Sequence, residues 1–187
     1  FGIVHARLAR PLGALPYLMC LILFAYRTHP ERPLVVGANR DEFYARPAEA
    51  AQYWVDAPHV FGGRDLRGGG TWLATSTSGH FAALTNFTDF DVTAMPIESR
   101  GHIPSEFLIN DISAIEYVTD IDHSLYQGFN LIIYDGTDLV YTSNRTNEIR
   151  VLRPGVYGLT NTHLDDIWPK TAQGVSAFGP IARTTTV

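Results

Sequence analysis

Cys20, the only cysteine, opens the apolar run Leu21-Ile22-Leu23-Phe24-Ala25-Tyr26, and the polar quartet Asn39-Arg40-Asp41-Glu42 closes the next one, Leu34-Val35-Val36-Gly37-Ala38. A thiol is the most nucleophilic side chain near neutral pH, and a nucleophile beside orienting polar groups is the minimum catalytic unit. Two later apolar runs also finish on an amide, Asn86 after Leu84-Thr85 and Asn161 after Leu159-Thr160. The plainer readings stand beside these. A lone cysteine in an apolar run is most often a small buried hydrophobe, and Asn and Asp are turn formers in turn positions. Function is favoured because three strand ends, rather than one, finish on a polar amide or acid.

The elements that would position these residues follow from local pattern. The runs 19–26 and 34–38 are short, β-branched or aromatic, and separated by a segment carrying Pro30 and Pro33, so they read as adjacent antiparallel strands. That pairing brings Cys20 next to the quartet although eighteen residues of chain intervene. Residues 48–54 are helix-compatible for two turns. Gly62-Gly63 and Gly68-Gly69-Gly70 bracket Arg64-Asp65-Leu66-Arg67 as a loop. Phosphate-cradling loops lead into a helix, and here Thr71-Trp72-Leu73-Ala74-Thr75 alternates like a strand instead. Thr77-Ser78-Gly79 then turns the chain into a strand over 80–86. Residues 87–101 form an irregular polar loop, 104–109 a short helix, and Ser113 caps a second helix over 114–119 with Glu116 at its third position. Strands are expected at 129–134 and 139–143, joined by Asp135-Gly136, and at 149–152 and 156–160, joined by Pro154-Gly155. The stretch 168–178 reads as helical, interrupted by Gly174. Strands, then helices, then strands predict an α+β domain of antiparallel sheets covered by helices.

Composition bounds the rest. A chain of 187 residues fits one domain, and 45% hydrophobic with 18% charged residues excludes wholesale disorder. A net charge of −5 with Lys170 as the only lysine leaves no basic stripe, so nucleic acid is not an expected partner. The seven histidines show no metal-ligand spacing, and no metal or cofactor is expected. Residues 1–18 hold His5, Arg7 and Arg10 and no acid. The apolar run 11–26 falls short of the ~20 residues a membrane span needs and is broken by Pro16, so no stable span is expected. As a lipoprotein signal it has the bulky Met19 where a small residue is wanted. The reading adopted is a leader or upstream extension with translation beginning at Met19, and an organellar transit peptide stays open beside it. A lone cysteine makes the reducing cytoplasm the expected compartment.

Six ordered blocks, Met19-Cys20, Ala38-Asn39-Arg40-Asp41-Glu42-Phe43-Tyr44 with Arg46-Pro47, Gly69-Gly70-Thr71-Trp72-Leu73, Ala83-Leu84-Thr85-Asn86, Gly128-Phe129-Asn130-Leu131 and Tyr157-Gly158-Leu159-Thr160-Asn161, together resemble the NRDE family, that of the transport and Golgi organisation protein 2. That family in turn is similar to the N-terminal nucleophile hydrolases of the choloylglycine hydrolase and penicillin V acylase group. The resemblance implies a four-layer αββα sandwich, a single domain from residue 19 to 187, and a chain truncated at its C-terminus. It implies that Cys20, once freed at the N-terminus, is its own general base, because an α-amine with a pKa near ~8 is partly neutral at physiological pH. The thiolate would attack an amide carbonyl, with Asp41 orienting the amine or thiol as the third member of a triad does. Asn86 would donate to the oxyanion, an interaction worth on the order of 3 kcal/mol, and Asn161 would be a second donor or a substrate contact. Asn39, Arg40, Glu42 and Trp72 are the implied substrate contacts, and the substrate is a small amide cleaved through an acyl-enzyme. One departure is visible: the relatives carry an arginine before the strand-end asparagine where this chain has Ala38. The alternative is a non-enzymatic carrier, a pocket of Trp72, Phe43 and Tyr44 holding an amphipathic ligand, since the family is linked to lipid and haem handling.

Overall fold

The computed structural model describes residues 3–4, 20–43, 45–88, 97–164, 166 and 168–184. Met19, Tyr44 and part of the 87–101 loop lie outside the described residues. The chain divides into two compact units, Phe1–Glu42 with Arg153–Val187, and Phe43–Leu152.

The first unit is a four-stranded sheet of β1 (Ile3–Val4), β2 (Leu21–Tyr26), β3 (Leu34–Asn39) and β11 (Gly155–Leu159) in the order β1-β3-β2-β11, with helix α3 (Pro169–Thr184) on it. The hairpin expected from the two apolar runs is present, with Leu21 opposite Asn39 and Tyr26 opposite Leu34. β1 pairs parallel with β3, so residues 3–4, set aside with the first eighteen on sequence grounds, take part in the sheet.

A row of small residues fixes how α3 lies. Leu23 pairs with Gly37 on one side and Gly158 on the other, and α3 passes over that row. A Cβ on Gly158 would sit 2.5 Å from the Thr171 methyl, one on Gly174 3.0 Å from a Leu23 methyl, and one on Gly37 3.2 Å from the Phe178 ring. The helix does not break at Gly174, contrary to the expectation. That glycine costs about 1 kcal/mol in propensity, and the close approach to Leu23 that it permits outweighs the cost.

The second unit is a seven-stranded antiparallel meander: β4 (Ala48–Tyr53), β5 (Val60–Asp65), β6 (Leu73–Ser76), β7 (Phe81–Asn86), β8 (Phe129–Tyr134), β9 (Leu139–Ser143) and β10 (Glu148–Val151), each paired with the next. Helices α1 (His102–Asn110) and α2 (Ala114–Asp120) enter between β7 and β8. They pack Ile103, Phe107, Leu108 and Val118 against Ala82, Leu84, Leu131 and Ile133. Ser113 caps α2 as expected, its side chain accepting from the Glu116 N–H at 3.3 Å. Every residue of β8 and β9 is buried, so neither strand alternates between a buried and an exposed face. Each sheet thus carries helices, and apart from β1 all its strand pairs are antiparallel, in an α+β architecture.

Three local expectations are corrected. Residues 48–53 form a strand, not a helix: Ala, Glu and Gln favour helix by only tenths of a kcal/mol, whereas pairing with β5 satisfies backbone groups and sets Tyr53 edge-on to Phe61 at 5.2 Å. Gly62 and Gly63 lie within β5 rather than in a loop. Gly62 is needed because a Cβ there would fall 2.5 Å from that of Ala74, and Gly63 because one would fall 2.9 Å from the Glu49 carbonyl oxygen. Finally, β10 and β11 do not pair through Pro154-Gly155. β10 pairs with β9 and β11 with β2, so that segment carries the chain from one sheet to the other.

Candidate functional site

Cys20 immediately precedes β2, an interior strand of the four-stranded sheet that runs antiparallel to both its neighbours. On one side Leu21 pairs with Asn39, so Arg40 follows opposite Cys20; on the other Leu159 pairs with Ile22, and continuing that register two residues places Asn161 opposite Cys20. The N-terminal end of β2 and the C-terminal ends of β3 and β11 therefore meet at one edge of the sheet. An interior strand running antiparallel to both neighbours makes this unavoidable, and it explains why polar residues end both partner strands.

The contacts are specific. The Asp41 backbone N–H donates to the Cys20 sulfur, and the Arg40, Asp41 and Glu42 charges all act on it. Asn39 Nδ2 donates to Asp41 Oδ1 at 3.3 Å, fixing the carboxylate, and Arg40 pairs with Glu42 at 3.0 Å. Burial pushes the Cys20 thiol above its ordinary value; the Asp41 N–H and the Arg40 charge oppose this, and the Asp41 and Glu42 carboxylates add to it. The thiol is consequently protonated near neutral pH and reacts only once a base removes its proton. Asn161 is 4% exposed, and beside it the Thr160 and Thr162 hydroxyls lie 3.1 Å apart.

The remaining expected site residues belong to the second unit. Asn86 ends β7 opposite Phe129, exposed, and Trp72 is half-buried just before β6, its carbonyl accepting from the Leu84 N–H at 2.7 Å. Phe43 is 70% exposed, too open for a pocket wall in the described chain, and Tyr44 lies outside the described residues. A cavity of about 380 Å3 in this unit is lined by Glu98, Glu106, Asp120, Asp122, Tyr117 and Tyr126, none of them an expected site residue.

Sequence reasoning missed two polar clusters in the second unit. Asn130 is fully buried, donating from Nδ2 to Thr85 Oγ1 at 3.3 Å and accepting from the Tyr141 hydroxyl at 2.9 Å. The signal was an asparagine inside the otherwise apolar run Phe129–Tyr134, where a buried amide must have partners. Arg46 binds Asp65 Oδ2 through Nε at 2.8 Å and Nη2 at 2.5 Å, a pairing across 19 residues that no local pattern announces. Among the described residues no group of three His, Cys, Asp or Glu could hold a metal ion, and no helix is long and apolar enough to cross a membrane.

Known proteins are similar to this chain over most of its length. The chain is 38% identical over 175 residues to the bovine "Transport and Golgi organization protein 2 homolog" and 36% identical over 175 residues to the human one, in each case 86% of this chain and 63% of the relative. It is 34% identical over 128 residues to the Drosophila melanogaster "Transport and Golgi organization protein 2", 61% of this chain and 45% of that one. The chain thus spans a little under two thirds of the mammalian relatives. The profile described as Transport and Golgi organisation 2 matches residues 19–186, from the residue before Cys20 to the end of α3 and just beyond. The chain belongs to the Transport and Golgi organisation 2 family.

Proposed function

We propose that this chain is part of an amidohydrolase in which Cys20 attacks a non-peptide C–N amide of a small molecule in a reducing compartment. The observation that carries the reading is the Asp41 N–H on the Cys20 sulfur at an edge where three strand ends converge. With Cys20 as first residue, its α-amine accepts the thiol proton and the thiolate adds to the carbonyl carbon. The oxyanion takes hydrogen bonds from amides, the roles assigned to Asn161 and, by resemblance, to Asn86. The C–N bond then breaks, the amine leaves with the proton, and water hydrolyses the thioester to the acid. Asp41, held by Asn39, orients the reacting residue, and Arg40, Glu42 and Trp72 meet the substrate. The αββα sandwich that the resemblance implies belongs to this proposal. The test is amine release from a panel of N-acyl amino acids by protein whose mass shows Cys20 as first residue. Release abolished by Cys20→Ala supports the hydrolase; release that survives the substitution overturns it.

The raised thiol favours a second reading. While a peptide bond joins residue 20 to residue 19, no α-amine is present to take the proton, and the same scaffold would act as a carrier of an amphipathic ligand such as a lipid or haem. Ligand binding unchanged by Cys20→Ala, with no amine release from the wild type, selects it.

A further inference from the structure

Arg100 stands one residue before Gly101, the N-cap of α1, and its Nη1 donates to the Gly128 carbonyl oxygen at 2.9 Å. That carbonyl is uncharged and also accepts from the Phe87 N–H at 2.8 Å. Arg145 lies against the same glycine: a Cβ on Gly128 would sit 2.9 Å from its Nε and 3.3 Å from its Cζ. Arg46 approaches from the segment just before β4, and a Cβ on Gly68 in the β5–β6 loop would sit 3.4 Å from Arg46 Nη2 and 2.9 Å from the hydroxyl of Ser99, the neighbour of Arg100. Two glycines thus leave space that guanidinium groups occupy.

Arg100 is the costly member of this group. Asp65 answers Arg46, but among the described residues no carboxylate acts on Arg100. Burial and the like charges of Arg46 and Arg145 push the Arg100 guanidinium down to about 10. Its place beside the positive end of α1 adds a further repulsion. A half-buried cation among cations is stabilised by a counter-ion, and planar guanidinium forks suit the oxygens of carboxylate or phosphate.

We propose that Arg100 and Arg145, with the Ser99 hydroxyl beside them, bind the anionic oxygens of a phosphate or carboxylate group on a small molecule. This site lies wholly within the second unit and stands independently of the hydrolase reading.

The test is thermal unfolding of the full chain at fixed ionic strength as chloride is replaced by inorganic phosphate or acetate. A saturable rise in Tm is expected for one or both anions. Arg145→Gln weakens the apparent affinity at least about tenfold, and Arg100→Gln removes the response while melting above wild type in chloride, because it deletes an uncompensated cation. Exposed Arg153→Gln leaves the response intact. Equal rises in wild type and both cluster variants, or no rise at all, overturn the site. Should Arg100→Gln fail to fold, saturable broadening of the phosphorus resonance of inorganic phosphate by wild type, lost in Arg145→Gln, decides in favour of the site, and unsaturable broadening decides against it. Flotation with phosphatidylcholine vesicles containing or lacking phosphatidic acid separates the sources: capture only with phosphatidic acid identifies a lipid head, and a phosphate response without capture identifies a soluble ligand.

Discussion

Asp41 acts on Cys20 in two opposing ways, its backbone N–H favouring the thiolate and its carboxylate disfavouring it. Substitution separates the two, since Asp41→Asn keeps the N–H and deletes the charge. Iodoacetamide alkylation, which follows the thiolate fraction, is expected to be slow at pH 7 and to rise tenfold per pH unit until above the usual thiol range of about 8.5. Asp41→Asn shifts that profile to lower pH and Arg40→Gln to higher pH. A profile unmoved by both removes the electrostatic coupling. At this scale the sequence was informative where chemistry and adjacency coincided: Cys20, Asn39 and Asp41 are visible because a two-strand hairpin joins them. Arg46 with Asp65, and Arg100 with Arg145, were not visible, since their contacts come from loops brought together by strands distant in sequence.

Two elements carry more of the fold than their length suggests. Gly158 is where β11 meets α3, and Gly158→Ala would drive a methyl to 2.5 Å from the Thr171 methyl, which is buried on the helix. Overpacking of this kind costs about 1–3 kcal/mol, read as a lower urea midpoint with unchanged slope. Thr171→Ser removes the opposing methyl and should restore part of the loss, since the Val175 methyl still lies 3.0 Å from the added Cβ. Asp135 joins the β8–β9 turn to α2: its carboxylate accepts from the Thr137 and Asp138 N–H groups at 2.8 Å each, and from the Ala114 N–H at 2.8 Å at the first position of the helix. Asp135→Ala is expected to cost about 1–2 kcal/mol of unfolding free energy at pH 7. The Asp135-Gly136 turn was readable from its residues, Gly136 having φ of 91°, whereas its bond to α2 spans 21 residues and was not. The edge strand β4 was misread as helix for the same reason: what decides its conformation is its pairing with β5, not its own composition.

At the scale of the whole molecule, acid should weaken the chain through Asp65 and Asp135. Burial acts to raise both carboxyls, but the Arg46 bonds with the Gly68 and Arg67 N–H groups on one, and the Ala114, Asp138 and Thr137 N–H groups on the other, hold both below the ordinary carboxylate value. A carboxyl lowered in the folded state contributes stability that is complete above its unfolded value, about 3.9, and is lost as pH falls through the lower folded value. Urea midpoints should therefore fall with pH below about 4, and Asp65→Asn and Asp135→Asn should each flatten that fall. The order of strands, then helices, then strands was enough to read an α+β chain of antiparallel sheets, because hydrophobic period and turn residues are local. That β10 and β11 join different sheets was not legible, since Pro154-Gly155 suits a hairpin as well as a crossing. The central claim concerns Cys20 as nucleophile, and its most direct test is intact mass after acid quench. Protein beginning at Cys20 is mixed with N-acyl amino acids, quenched within a turnover and weighed. The account predicts an acyl adduct that maps to Cys20 and is absent both from Cys20→Ala and from protein retaining residue 19; an adduct that persists in Cys20→Ala, or none while amine is released, contradicts it.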